Sequence, residues 1–218
     1  MKVKLIAYTP NPDKVCAIAA KNCISQEIPE DVEDLNSLVH AMNSGHTSVV
    51  ENASFTFSIE GVSRVLETQL VRHRIGASFA IQSGRYNARD PTNYIIPFDT
   101  EGVDDELITE FNKALRNLDD HLKEKGINAE NRRYFYPQGL KTNIIMTMNG
   151  RELLHWFSLR LCTRAQKEHK ELAEKMLKLC KEVSPIIFKN AGPSCVQLGY
   201  CPEGKKSCGK YPRHVVIE

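Results

Sequence analysis

Nowhere does the sequence run for about 18 consecutive apolar residues, which excludes a helical membrane span. Nor is there a surplus of charge of one sign, since 29 Lys and Arg face 27 Asp and Glu for a formal net charge of +2. That balance creates no whole-molecule basic field for nucleic acid, so any basic function must come from local clustering. Internal repeats, low-complexity tracts and a convincing linker are missing too. The opening Met1-Lys2-Val3-Lys4-Leu5-Ile6-Ala7 is too short and mixed for a signal peptide and reads as a first strand. The seven cysteines include no close Cys-x-x-Cys knuckle. With no export signal they point to a reducing compartment rather than a disulfide framework, and the expected location is cytoplasmic.

What is present suits a globular domain with a real core: 218 residues, 41% hydrophobic and 26% charged. Val3, Leu5 and Ala7 alternate before Tyr8-Thr9-Pro10-Asn11-Pro12 breaks the strand. A short helix is expected from about Asp13 to Cys23, and another over Val32, Leu35, Leu38, Val39 and Met42 with Gly45 as its stop. Ala53, Phe55, Phe57 and Ile59 alternate with small polar residues as a half-buried strand does. Helices follow from about Gly61 to Arg74 and from Leu107 to near Gly126, then a strand over Thr142 to Met148. Two more helices are expected, from Asn149 to about Leu161 and from Ala165 to about Val183, the second closed by Ser184-Pro185. The fold class is α+β, a single domain with a mixed or antiparallel sheet flanked by helices, over residues 1–190. Residues 191–218 form an irregular tail rich in Gly, Pro, Cys and Lys.

The chemistry concentrates after residue 61. Stepping about 100° per residue from Val62 puts Val65, Leu66 and Leu70 on one stripe, with Gln69 and His73 inside it. A buried amide and imidazole need partners, which neighbouring backbone groups or a ligand could supply. Arg72 and Arg74 flank His73, and Ser83, Gly84 and Arg85 follow after a short irregular segment. Three guanidiniums, a hydroxyl and a glycine amide make a phosphate cradle. Arginines this dense repel one another unless anions sit among them. A solvated basic face is the plain alternative. The apolar neighbours Ile75, Phe79, Ala80 and Ile81 favour the anion.

Arg72-His73-Arg74, eight intervening residues and Ser83-Gly84-Arg85-Tyr86 resemble the motif of the flavin-dependent thymidylate synthases, RHR followed after seven or eight residues by Ser. Gly45-His46-Thr47-Ser48 with Glu51, then Phe55-Thr56-Phe57 and Gln69, are similar to the family's preceding segment. Arg132-Arg133-Tyr134-Phe135-Tyr136-Pro137, Asn149-x-Arg151, His155, Leu159-Arg160 and Ala165-Gln166-x-Glu168 follow in the family's order. The likeness runs from about Ala19 to about Pro185. A bare RHR would be a weak signal; several motifs in order and spacing are a strong one.

The resemblance implies methylation of dUMP at C5. Methylenetetrahydrofolate would supply the carbon, NADPH the reducing equivalents through FAD, and no enzyme nucleophile would attack the pyrimidine. It implies a homotetramer with active sites between subunits. Gln69, Arg72, Gln82, Ser83, Gly84, Arg85, Arg133 and Arg160 would hold the nucleotide, with Arg72, Arg85 and Arg133 on the phosphate. Arg160 and Ser83 would be the catalytic side chains, Arg160 stabilising charge that develops on the uracil. Ser83 suits hydrogen bonding better than nucleophilic attack, since no Ser-His-Asp arrangement is evident. His46, Ser48, Arg72, His73, Arg74, Asn149, Arg151 and His155 would contact FAD. On a helix from Asn149, Arg151 and His155 share one face and Leu153, Leu154, Phe157 and Leu161 the other. Departures from the family pattern are the longer eight-residue loop, with its extra residue near Gly76, and Ile81 where Glu or Gln is usual. Others are Asn52 for His, Arg164 for His, Cys23 for Ser and His155 for Asn.

In the tail, Cys195, Cys201, Cys208 and His214 could form a tetrahedral zinc site, although reduced thiols in an irregular tail explain them as readily. Two further functions compete. One is a flavoenzyme acting on C5 of another pyrimidine nucleotide, motivated by the Ile81-Gln82 pair. The other is a nucleic-acid-binding protein with a zinc tail, against which the balanced charge argues.

Overall fold

The computed structural model describes residues 1–87, 89–96 and 105–213. Four strands, β1 (Lys2–Tyr8), β2 (Ser54–Ser63), β3 (Ala77–Ile81) and β4 (Lys141–Asn149), form an antiparallel sheet in the order β1-β2-β4-β3. The helices are α1 (Pro12–Asn22), α2 (Asn36–Asn43), α3 (Arg64–Leu70), α4 (Asp105–Glu124), α5 (Ala129–Arg132), α6 (Gly150–Arg160), α7 (Lys167–Val183) and α8 (Ser194–Leu198). The α+β expectation is met. Alternation in β2 and β4 buries Phe55, Phe57, Ile59, Thr142, Ile144, Met146 and Met148 and leaves their neighbours partly exposed, as a sheet with one packed face requires.

The chain forms two compact units. The first comprises Met1–Lys2, Ile59–Arg72 and Phe79–Ile145; the second comprises Val3–Ser58, His73–Ser78 and Met146–Glu218. Each strand contributes residues to both. In the second unit, Phe55, Phe157 and Phe188 meet edge to face at 5.3 and 5.9 Å, with Trp156 5.5 Å from Phe157. Asp13, buried at the start of α1, accepts from the Ser184 hydroxyl, the Ile186 N–H at 2.9 Å and the Ile187 N–H at 3.3 Å, fixing the chain beyond α7. In the first unit, Asp119 of α4 accepts from Arg132 Nε at 2.8 Å and the Tyr136 hydroxyl at 2.6 Å, and pairs with Lys123 at 2.7 Å. Burial would raise its pKa, but the hydrogen bonds from Lys123, Tyr136 and Arg132 hold it below the usual carboxylate range.

Several elements differ from expectation. The helix expected over 61–74 spans only Arg64–Leu70. The Ser63 hydroxyl caps it by accepting from the Leu66 N–H at 3.0 Å, so residues 61–63 stay in β2. Arg72-His73-Arg74 therefore follows the helix instead of ending it, and His73 is not on its stripe. The segment expected to be irregular contains β3. Its apolar setting is not a buried one: Ile75 is 85% exposed and Ala80 is exposed. The helix expected from Val32 begins at Asn36, because Asp31 and Asp34 accept from the N–H groups of Val32 and Asn36 and turn the chain first.

Candidate active site

The first unit collects most of the expected nucleotide residues. Gln69 lies in α3 and Arg72 is exposed just beyond it. A cavity of about 390 Å³ is lined by Arg64, Gly84, Arg89, Arg133, Tyr134 and Tyr136, among others; Gln69, Arg72, Ser83 and Arg85 are not part of that lining. Gly84 sits so close to Arg133 that a side chain there would meet its Cδ at 3.3 Å. Arg133 donates through Nε to the Glu130 carbonyl at 3.1 Å, while Glu130's carboxylate pairs with Arg85 Nε at 2.8 Å. Arg85 is thus engaged by an internal carboxylate beside Arg133. The Ser83 hydroxyl oxygen accepts from the Arg85 N–H at 3.1 Å, which closes a turn and is not a nucleophile–base pair. Gln82 takes part through its backbone. Its N–H donates to the Asn143 carbonyl at 2.9 Å, and its carbonyl accepts from Arg89 Nη2 at 2.6 Å. Arg89 also donates to the Lys141 carbonyl at 3.1 Å, so one guanidinium ties the Ser83 loop to β4.

The second unit holds the expected flavin residues other than Arg72, together with Arg160. His73 Nδ1 lies 2.8 Å from Glu152 Oε1, with only 9% and 11% of the two side chains exposed. Its Nε2 lies 3.3 Å from Arg160 Nη2. A guanidinium can only donate, so Nε2 is the acceptor and the proton sits on Nδ1, donated to Glu152. Burial lowers the His73 pKa below 6.5, against the opposing hydrogen bond and charge of Glu152 and with help from Arg160 and His155. The ring is therefore neutral at neutral pH, as the tautomer requires. Burial also lowers the pKa of Arg160, whose Nε is buried with no hydrogen-bond partner among the described residues. A guanidinium remains charged under such a shift.

Asn149 caps α6 by accepting from the Glu152 N–H at 2.9 Å and gives its own N–H to the Gly76 carbonyl at 2.9 Å. At Gly76 φ is +68°, and an added Cβ would fall 2.5 Å from the Asn149 side chain. His46, Ser48, Arg74, Arg151 and His155 are exposed. Arg151 pairs with Glu51, and the His155 ring lies 6.0 Å from that of His73. As expected, Leu153, Leu154 and Phe157 are buried on the other side of α6.

Five contributors escaped sequence reasoning: Glu130, Arg64, Arg89, Asp119 and Glu152. Glu152 sits between the quoted Arg151 and His155, and its place inside the expected polar stripe was the available signal. For the expected metal set, no group of three or more His, Cys, Asp or Glu stands in a metal-holding arrangement among the described residues, and His214 lies outside them.

An antiparallel α+β scaffold with an arginine-lined cavity in one unit and a half-buried Arg-His-Glu chain in the other defines a protein suited to anionic ligands. The family model described as thymidylate synthase complementing protein, Thy1, matches residues 4–186, and the chain belongs to that family. It is 44% identical to the flavin-dependent thymidylate synthase of Clostridium tetani, over 96% of this chain and 94% of that one. To that of Pyrococcus horikoshii it is 45% identical, over 93% and 90%. Among solved structures, the Helicobacter pylori flavin-dependent thymidylate synthase complexed with FAD and dUMP superposes with a TM-score of 0.69 at 27% identity, over 88% of this chain and 100% of that one.

Proposed function

We propose that this chain is itself a flavin-dependent thymidylate synthase, converting dUMP to dTMP with FAD, NADPH and methylenetetrahydrofolate. In this reading it works in the cytoplasm as a homotetramer whose active sites lie between subunits. The observation that carries the proposal is Arg160: a half-buried, charged guanidinium beside His73, whose buried Nε has no hydrogen-bond partner among the described residues. A desolvated cation with an unused donor fits an anionic partner.

The nucleotide's phosphate suits the first unit's cavity, where Arg133, Arg64 and Arg89 bring three guanidiniums and Gly84 permits close backbone approach. Arg85 joins them when a phosphate displaces Glu130. That exchange costs little, because an exposed ion pair is worth about 0–1 kcal/mol. Ser83 orders its own turn and presents its hydroxyl. Arg160 holds its fixed positive charge toward the pyrimidine and stabilises the negative charge that develops there, which removes the need for an enzyme nucleophile. His73, His155, Arg74 and Arg151 would hold FAD, with His46 and Ser48 beside them. FAD when bound supplies the redox chemistry. Glu152 keeps the proton on His73 Nδ1 and so keeps Nε2 available to Arg160. Assembly fits the large apolar side chains left at the surface, among them Ile24, Ile28, Ile75, Tyr86 and Tyr134, each at least 77% exposed.

The test is the flavin spectrum with and without dUMP. The purified protein should be yellow, and dUMP should perturb the flavin band. Arg133→Ala should keep the flavin and lose that response. A colourless protein that binds no FAD but shifts single-stranded DNA would overturn the reading in favour of nucleic-acid binding.

A further inference from the structure

Beside the first unit's cavity, and outside its lining, lies a buried carboxylate. Glu67, on α3, is 7% exposed, and its Oε2 has no hydrogen bond among the described residues. It stands 3.2 Å from Nη1 of Arg64, one turn earlier on the same helix, and lies within electrostatic reach of Arg89 as well. Arg64 and Arg89 both line the cavity. The Nε of Arg89 is likewise buried with no hydrogen bond among the described residues. Its other two nitrogens donate to the Lys141 and Gln82 carbonyls, which fix its direction and leave its charge uncancelled.

An acidic residue in the first turn of a helix stabilises that helix from solvent, without being buried. Taking the carboxylate out of water costs free energy that only nearby positive charge offsets. Burial pushes the Glu67 carboxyl above the usual carboxylate range, while Arg64 and Arg89 oppose that shift and favour the ion. Burial and the neighbouring Arg64 lower the pKa of Arg89, and Glu67 opposes them. One carboxylate is therefore shared by two of the cavity's guanidiniums.

The cavity wall carries Arg64, Arg89 and Arg133, while Arg85 beside Arg133 already has Glu130 as its counter-charge. With Glu67 set against the first three, a surplus of two positive charges is left. A phosphate monoester carries close to two negative charges near neutral pH. A diphosphate or triphosphate exceeds that surplus.

We propose that Glu67 is a specificity-determining residue of the nucleotide site: shared by Arg64 and Arg89, its carboxylate holds the cavity's charge at the value that suits one phosphate dianion and so selects nucleoside monophosphates over diphosphates and triphosphates. The inference rests on the reading of this cavity as the phosphate site. Glu67 works through the two arginines without touching the nucleotide, so it governs which phosphate binds more than the rate at C5.

Calorimetric titration of the FAD-loaded protein with dUMP, dUDP and dUTP, with chelator and no Mg²⁺, reads that selectivity. The unaltered protein should bind dUMP at least about tenfold more tightly than dUTP. Glu67→Gln keeps the shape and removes the charge, and it should shift the ratio of the two affinities about tenfold toward dUTP. Its kcat at saturating dUMP should stay within about twofold, since binding changes and the reacting centre does not. Glu67→Asp keeps the charge and should keep the unaltered ratio. Arg64→Gln removes a positive charge instead and should shift the ratio toward dUMP, which decides the matter even where Glu67→Gln does not fold. The proposal is overturned if the unaltered protein does not discriminate, if the Gln variant at either position leaves the ratio unmoved, or if Glu67→Asp shifts it as Glu67→Gln does. Failure of the flavin-loaded protein to bind dUMP would sink the enzyme reading and this one together. Binding of dUMP and formation of dTMP, with a selectivity indifferent to Glu67→Gln, would sink this one alone.

Discussion

At the scale of single residues, the site depends on the direction of one proton. His73 is useful to Arg160 only while Nε2 is unprotonated, and Glu152 enforces that by accepting from Nδ1. Glu152→Ala should lower kcat by roughly tenfold or more through misplacement of Arg160, with a smaller change in the KM for dUMP, measured by steady-state turnover. The pKa of His73 is depressed on folding, so its contribution to stability is full above the unfolded value of 6.5 and is lost as pH falls through the folded one. The thermal midpoint should therefore drop on acidification below about pH 6.5, and less so in His73→Gln, as a pH series of melting curves would read out. In the first unit Glu130 pairs with Arg85, a pairing that a bound phosphate would have to displace. Glu130→Gln should lower the apparent KM for dUMP, by at most about fivefold given what an exposed pair is worth. A raised KM would show that Glu130 aids binding instead. Arg72, His73, Arg133 and Arg160 were legible as motif positions. Glu152 was not, because its partner His73 is 79 positions away and only the fold joins them.

Among the elements, β2, β4, α4, α6 and α7 were legible because each carries a long run at a single period. The stretch between Ser63 and Ser83 was not, although the chemistry crowds there. Its apolar spacing runs through Ser63, where a side-chain cap starts α3 later than periodicity suggests, and Val71 and Arg72 already turn. Only five residues make β3, with Ala77, Phe79 and Ile81 half-buried, too few to stand out beside the preceding arginines. Gly76 joins the two elements. Gly76→Ala should destabilise the protein by about 2 kcal/mol or more, since it adds left-handed strain to a clash with the side chain that caps α6. Urea unfolding monitored by circular dichroism would measure it, and an unchanged midpoint would mean that Asn149 moves away freely.

For the whole molecule, the near-zero net charge and the local arginines fit small anions at built sites better than a polyanion held along a surface. The two units divide the labour along the chain. The unit boundary falls between Arg72 and His73, in the middle of the motif that sequence alone treats as one signal. Family membership fixes the fold to which both belong. What remains decisive is chemistry. Purified protein incubated with dUMP, methylenetetrahydrofolate, NADPH and FAD, and no other enzyme, should form dTMP as dUMP is consumed, and Arg160→Ala should abolish that product while the flavin is still reduced. Absence of dTMP from the unaltered protein while its flavin turns over would contradict the account and point to a different pyrimidine substrate.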